Sequence, residues 1–181
     1  MPFENEHGAE PVETELQLKL SIGLNPEDTE EILELAACCQ TIPQEKLEML
    51  EQSVWEEAYN TSLPFSTFIR AHVVNGDEQP LCGFAYFGTI ADMEDCYELY
   101  LVAVDEEFRN IGIGAALVDE IERQISAADG STIFCEVPDS RAHENSENFL
   151  QATGFSRQNR HYRFFIPEKG NAVYAKKLLQ N

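Results

Sequence analysis

Apolar and polar positions alternate over Leu16-Gln17-Leu18-Lys19-Leu20-Ser21-Ile22, the period of a half-buried strand. Asn25-Pro26-Glu27-Asp28 then opens a helix: a capping side chain, a proline in the first turn and acids at the positive helix end. Ile32, Leu33, Leu35, Ala36 and Ala37 form the apolar face of that helix, and Ile42-Pro43 ends it. A second helix runs from Gln44 to Tyr59, with Leu47, Leu50, Val54, Trp55 and Ala58 at helical spacing and glutamates on its other faces. A second strand lies within Phe65 to Val74, and Asn75-Gly76-Asp77 signals a hairpin turn. Leu81 to Ile90 is the third strand, Ala91 to Asp95 an acidic connector, and Cys96 to Val104 the fourth strand. The next helix packs through Leu117, Val118, Ile121 and Ile125 and stops before Asp129-Gly130. Thr132 to Val137 is the fifth strand, Glu144 to Thr153 a short helix, and Phe155 to Ile166 and Ala172 to Leu179 two closing strands. The order is β-α-α-β-β-β-α-β-α-β-β. A helix between the fourth and fifth strands makes a crossover with parallel pairing, so the sheet is mixed in direction and the class is α/β.

Composition narrows the setting. The 181 residues suit one domain, expected over residues 15–181 behind an acidic, polar tail of residues 1–14. There are 12 basic and 33 acidic residues, formally −21, which argues against a nucleic-acid binder because no basic face can be assembled. The same charge attracts cationic ligands. No apolar run is long enough to span a bilayer, and the start of the chain has neither the basic and apolar regions of a signal peptide nor the arginines of a transit peptide. Cys38, Cys39, Cys82, Cys96 and Cys135 are odd in number and scattered, which fits reduced thiols in a cytoplasmic protein. No cysteine or histidine spacing suggests a metal site, and Asp92, Glu94 and Asp95 lack the spacing and glycine of a calcium loop.

The densest chemistry lies between Glu98 and Gln124. There an apolar strand meets a short charged turn, and Arg109-Asn110-Ile111-Gly112-Ile113-Gly114-Ala115 opens a helix. A glycine-bearing turn at a helix start collects backbone N–H groups at the positive end of the helix dipole, a cradle for phosphate. Gly112 and Gly114 carry no Cβ, so a diphosphate can lie against the main chain. A dinucleotide fingerprint requires a third glycine where this chain has Leu117, so a nicotinamide cofactor is excluded.

Leu101-Val102-Ala103-Val104 followed by Arg109-Asn110-Ile111-Gly112-Ile113-Gly114 resembles the R/Q-x-x-G-x-G/A signature of the GNAT superfamily of acyl-CoA-dependent N-acetyltransferases. Asn148-Phe149-Leu150-Gln151-Ala152-Thr153-Gly154-Phe155 resembles the helix of that family that ends in Gly-Phe. Two motifs in order, one crossover apart, extend the resemblance over Leu16 to Leu179. The resemblance implies a GNAT-like, mostly antiparallel sheet with a central parallel crossover and helices on both faces. It also implies acetyl-CoA as co-substrate and a primary amine as acceptor, attacked directly in a ternary complex. The diphosphate would sit on Arg109 to Ala115. The thioester arm would lie where the fourth and fifth strands part, pairing with Val102, Ala103 and Val104 and flanked by Asn145 and Phe149.

The chemistry then needs a base, an oxyanion donor and a proton for the leaving thiolate. Glu98, eleven residues before Arg109, matches the offset of the base in histone-acetyltransferase-like relatives; the competing reading is a carboxylate on an exposed sheet face. Tyr100 shares its face by alternation, as a hydrogen-bonding hydroxyl or an aromatic wall. The Val102 N–H is the expected oxyanion donor. Relatives often place a tyrosine acid where this chain has Leu150, which turns attention to Tyr162, Ser146 or water, and leaves a CoA-binding module without turnover as the alternative function. His143, where relatives often carry asparagine, reads as a loop histidine. Arg157, Arg160, His161 and Arg163 form a basic cluster expected to pair with surplus acids. The acceptor is expected to be cationic, and the protein a monomer or homodimer.

Overall fold

The computed structural model describes residues 17–39, 42–59, 66–75, 77–159 and 165–179. The expected tail, Leu16, and Arg160, His161, Tyr162 and Arg163 lie outside them. The strands are β1 (Gln17–Ile22), β2 (Ser66–Val74), β3 (Leu81–Ile90), β4 (Met93–Val104), β5 (Thr132–Pro138), β6 (Ser156–Gln158) and β7 (Asn171–Lys177). The helices are α1 (Thr29–Cys38), α2 (Gln44–Tyr59), α3 (Ile113–Ala127) and α4 (Glu144–Ala152). The element order is the one the hydrophobic pattern implies. All seven strands form one sheet, ordered β1-β2-β3-β4-β5-β7-β6. Among the described residues only β4 and β5 pair in parallel.

Strand alternation divides the core into two layers. On one face Ile69, Leu99, Ile133, Val137 and Tyr174 pack with Leu117, Val118, Ile121 and Ile125 of α3 and Leu150 of α4. On the other face Phe68, Phe84 and Ala103 pack with Ile32, Leu35 and Ala36 of α1 and Leu50, Val54 and Ala58 of α2. Along the same face as α1 and α2, a third cluster of Cys96, Phe134, Phe165, Val173 and Ala175 covers the far half of the sheet.

Four expectations need correction. Trp55 is not on the packing face of α2 but 44% exposed, because Leu50, Val54 and Ala58 already complete the stripe one helical turn apart. Ala37 is exposed for the same reason on α1. The acidic connector shrinks to Ala91-Asp92: Ile90 pairs with Met93, and Asp92 takes the left-handed backbone (φ 64°) that a tight hairpin needs. Asp95 thus belongs to β4, where its carboxylate accepts from Ser131 Oγ at 2.7 Å and ties β4 to the start of β5. Among the described residues the sixth strand covers Ser156–Gln158, residues 160–164 of the expected strand lie outside them, and Ile166 is exposed.

One polar tie holds α1 to the sheet. Arg70 on β2 is ion-paired with Asp28 and donates through Nε to the Gly23 carbonyl at 3.0 Å. Asp28 in turn accepts from the Asn25 N–H at 2.6 Å. The two side chains are 11% and 15% exposed. Asp28→Ala strands a nearly buried guanidinium, and urea unfolding is expected to show a loss of about 2–4 kcal/mol. A loss below ~0.5 kcal/mol would place the pair with ordinary surface ion pairs.

Candidate active site

The site begins with an irregularity in β4. Tyr86 of β3 pairs with Leu101 and Phe87 pairs with Leu99, so Tyr100 is an extra residue, a β-bulge. Leu99 packs into the α3 face, whereas Tyr100 turns to the α1–α2 face and meets the Tyr86 ring at 4.8 Å. Tyr86 stacks on Phe68 at 4.3 Å, so the Tyr100 ring is braced by an aromatic row across three strands. Glu98 lies on the same face, as alternation requires.

The parallel ladder joins only Cys96 to Thr132, Tyr97 to Ile133 and Glu98 to Phe134. β4 continues to Val104, so its edge toward β5 is unpaired by β5 from Leu99 onward. Val104 lies six positions past Glu98, about 20 Å of extended backbone. The strands part at Glu98, and Val102, Ala103 and Val104 line the open stretch.

Glu98 has three charged neighbours that the sequence reading did not single out. Glu136 stands two residues past Phe134, the register partner of Glu98, and so shares its face. Its carboxylate accepts from the Glu168 N–H and from Asn171 Nδ2, each at 2.9 Å. Lys46, the one cation among the acids of α2, and Glu168 complete the set. Burial, then the Glu136 charge, pushes the Glu98 carboxyl up to about 7, with Lys46 opposing and Glu168 adding. Burial, with Glu98 and Tyr86 nearby, pushes Tyr100 up to about 12, so its hydroxyl keeps its proton at neutral pH. Glu136 was legible in principle, as a charged residue between buried Cys135 and Val137. Lys46 was not, since only the packing of α2 on the sheet brings it near β4.

At the far end of the open edge, Asp105 caps a short 3-10 turn (Glu106–Phe108) by accepting from the Glu107 N–H at 2.9 Å. Arg109 turns back, and its Nε donates to the Val104 carbonyl at 3.1 Å. Its guanidinium also faces the buried Cys39 thiol, whose pKa burial raises and Arg109 opposes. Arg109 therefore orients the turn. Asn110 (φ 64°) and Gly112 (φ 95°) take left-handed backbone, and the Ala116 N–H to Gly112 carbonyl bond (3.0 Å) starts α3. The N–H groups of Ile113, Gly114 and Ala115, in the first turn, have no intrahelical acceptor. A Cβ on Gly112 would meet nothing within 4 Å: the space above it is open. A Cβ on Gly114 would stand 2.8 Å from Phe149, so the α4 phenyl ring lies directly on the α3 start. Asn145, one turn before Phe149, is exposed on that side of α4. The chain thus has a cradle that fits a diphosphate, joined by an open strand edge to a half-buried carboxyl.

Residues 29–155 match the acetyltransferase (GNAT) family. The chain belongs to that family. Among solved structures, a GNAT-family acetyltransferase from Desulfovibrio desulfuricans superposes with a TM-score of 0.77 at 20% identity, over 89% of this chain and 99% of its own. The PaiA N-acetyltransferase of Thermoplasma acidophilum, solved with coenzyme A, gives 0.66 at 19% identity over 89% and 99%. The ribosomal-protein-S18-alanine N-acetyltransferase of Escherichia coli gives 0.62 at 14% over 90% and 94%. At these identities the likeness is one of fold. No curated protein matches the sequence significantly.

Within this GNAT fold the remaining candidates fall as follows. Leu150 is 3% exposed in the α3-side core beside Phe155 and Tyr174, so it contributes packing. His143 Nδ1 and Ser140 Oγ are hydrogen-bonded at 2.9 Å, a contact within the loop. Arg157 pairs with Asp139 at 2.6 Å and approaches Glu147 at 4.0 Å. Four cysteines are buried and Cys38 is exposed; all five are free thiols. Among the described residues no group of metal-ligating side chains converges, and no helix is long and apolar enough to cross a membrane.

Proposed function

We propose that the protein transfers the acetyl group of acetyl-CoA to a primary amine by direct attack in a ternary complex. The observation that carries this reading is the open β4 edge, with a half-buried carboxyl at one end and the Gly112 cradle at the other. Backbone N–H groups from Asn110 to Ala115 receive the diphosphate, with Arg109 holding the turn. Val102, Ala103 and Val104 receive the thioester arm, between Asn145 and Phe149. Glu98 is the base: it takes the proton of the attacking amine as the C–N bond forms. The Val102 N–H stabilises the oxyanion, the C–S bond breaks, and CoA leaves as thiolate. Tyr100 serves as a neutral hydrogen-bond donor to the acceptor. Burial pushes its pKa up to about 12, so the hydroxyl keeps its proton at neutral pH. Tyr162 is the other hydroxyl assigned to the site. The surplus of acid around Glu98 favours a cationic acceptor in a cytoplasmic setting.

The test is CoA release from acetyl-CoA with a panel of primary amines. Release above background supports transfer. Protection by CoA in a thermal melt without release from any amine would instead identify a binding module.

The pH profile checks the base separately. Ionised Glu98 is the active form, so kcat/KM is expected to rise with pH through about 7. Burial, which raises the Glu98 pKa most, is unchanged in Glu136→Gln, but the charge that adds to it is removed, so the rising limb moves to lower pH. A profile flat from pH 5.5 to 8 would exclude Glu98 as the titrating base.

A further inference from the structure

A cavity of about 530 Å³ opens between α1 and α2, with Glu27, Glu30 and Glu34 on one wall and Trp55 and Tyr59 on the other. It is independent of the acetyl-transfer site. Lys46 and Trp55 are nine residues apart, about half a turn out of phase on α2, so the helix presents one to Glu98 and the other away from it. The wall is aromatic: Trp55 and Tyr59 are 44% and 61% exposed, and their rings stack at 5.6 Å with 27° between planes. Two large rings held open to solvent in a concave site have the character of a binding hot spot.

Charge selects the occupant. The rim carries Glu27, Glu30 and Glu34, all exposed, and no Lys, Arg or His lines the cavity. Among the described residues none of the three enters an ion pair. Ring faces and carboxylates both attract a cation, and a guanidinium satisfies both: it stacks on an aromatic face and donates in-plane to carboxylate oxygens. Glu30 and Glu34 are one helical turn apart, about 6 Å along α1. Alternate side chains of an extended peptide recur at nearly that interval, ~6.7 Å. Residues 1–15 of this chain contain five glutamates and no lysine or arginine, so they are like-charged with the rim.

We propose that the α1–α2 groove docks an extended basic peptide, seating an arginine side chain against Trp55 and Tyr59 within reach of Glu27, Glu30 and Glu34. The site gives the enzyme a means of selecting basic polypeptides that does not depend on the reacting amine.

Trp55 is the only tryptophan, so its emission reports the groove directly. The full chain is titrated with Ac-Gly-Arg-Gly-Arg-Gly-NH2, which has no primary amine to acetylate. The expected result is a saturable change in emission, weakened about tenfold in Glu30→Gln/Glu34→Gln and also weakened by added salt. The peptide with Gln in place of Arg is expected to leave the emission unchanged. No change at ~1 mM arginine peptide, or equal binding by wild type and the double variant, would overturn the proposal. An equal response to free arginine amide would overturn the peptide reading in favour of a small-cation pocket.

Discussion

Glu98→Gln is expected to lower kcat/KM for acetyl transfer by about 10²–10⁴ at pH 7.5, the range that a positioned general base supplies. CoA affinity should not change, because the cradle from Asn110 to Ala115 lies at the other end of the open β4 edge. The same substitution has a second effect of opposite sign. Folding raises the Glu98 pKa to about 7, so the folded state binds the proton more tightly than the unfolded chain does. The stability this provides is complete below the unfolded value of ~4.3 and is lost as pH rises through about 7. Above that, the ionised carboxylate costs the fold up to ~3 kcal/mol. Glu98→Gln should therefore melt higher than wild type at pH 8 and show no such gain at pH 4. A less active, more stable variant is the signature of a group held in a costly state for function. Activity within about threefold of wild type would remove Glu98 from the mechanism.

Gly112→Asp is expected to abolish CoA binding while leaving the fold intact. Aspartate tolerates left-handed backbone better than most residues, and Asp92 and Asp129 already adopt it in this chain. A Cβ on Gly112 meets nothing within 4 Å, so the new carboxylate projects into the open cradle and not into protein. Placed ~4–5 Å from a diphosphate it opposes binding by about 2–4 kcal/mol, ~30- to 1000-fold in affinity. Loss of the CoA-dependent thermal shift is the expected result, with the free protein's melting temperature lowered only as far as the strain at φ 95° lowers it in Gly112→Ala as well. A retained shift would move the diphosphate elsewhere. Gly112→Ala separates the contributions, since it adds backbone strain without charge.

The two variants probe parts of the site that differ in how they are encoded. The cradle is local. Arg109, Asn110, Gly112 and Gly114 stand within one strand–turn–helix unit, and each answers a need of that unit: a side chain to tie the turn, two left-handed positions, and a close approach by Phe149. Such needs leave a mark on the sequence because few residue types meet them. The environment of Glu98 is assembled from distant segments. Lys46, Glu136 and Glu168 come from α2, β5 and the loop before β7, and none has spacing that announces its neighbour.

Periodicity and turn chemistry by themselves determined the element order, the β4–α3–β5 crossover, the face of α3 and the glycine-bearing turn before it, because these follow from interactions a few residues apart. Only the tertiary structure decided the rest. Pairing register placed the bulge at Tyr100 and ended the β4–β5 ladder at Glu98. Packing left Trp55 outside the core and Leu150 inside it, although both are large apolar residues on amphipathic helices. Burial among like charges carried Glu98 up to about 7. These outcomes depend on which surfaces meet across the sheet, and a side chain's desolvation and neighbours are not written in the residues beside it in the chain.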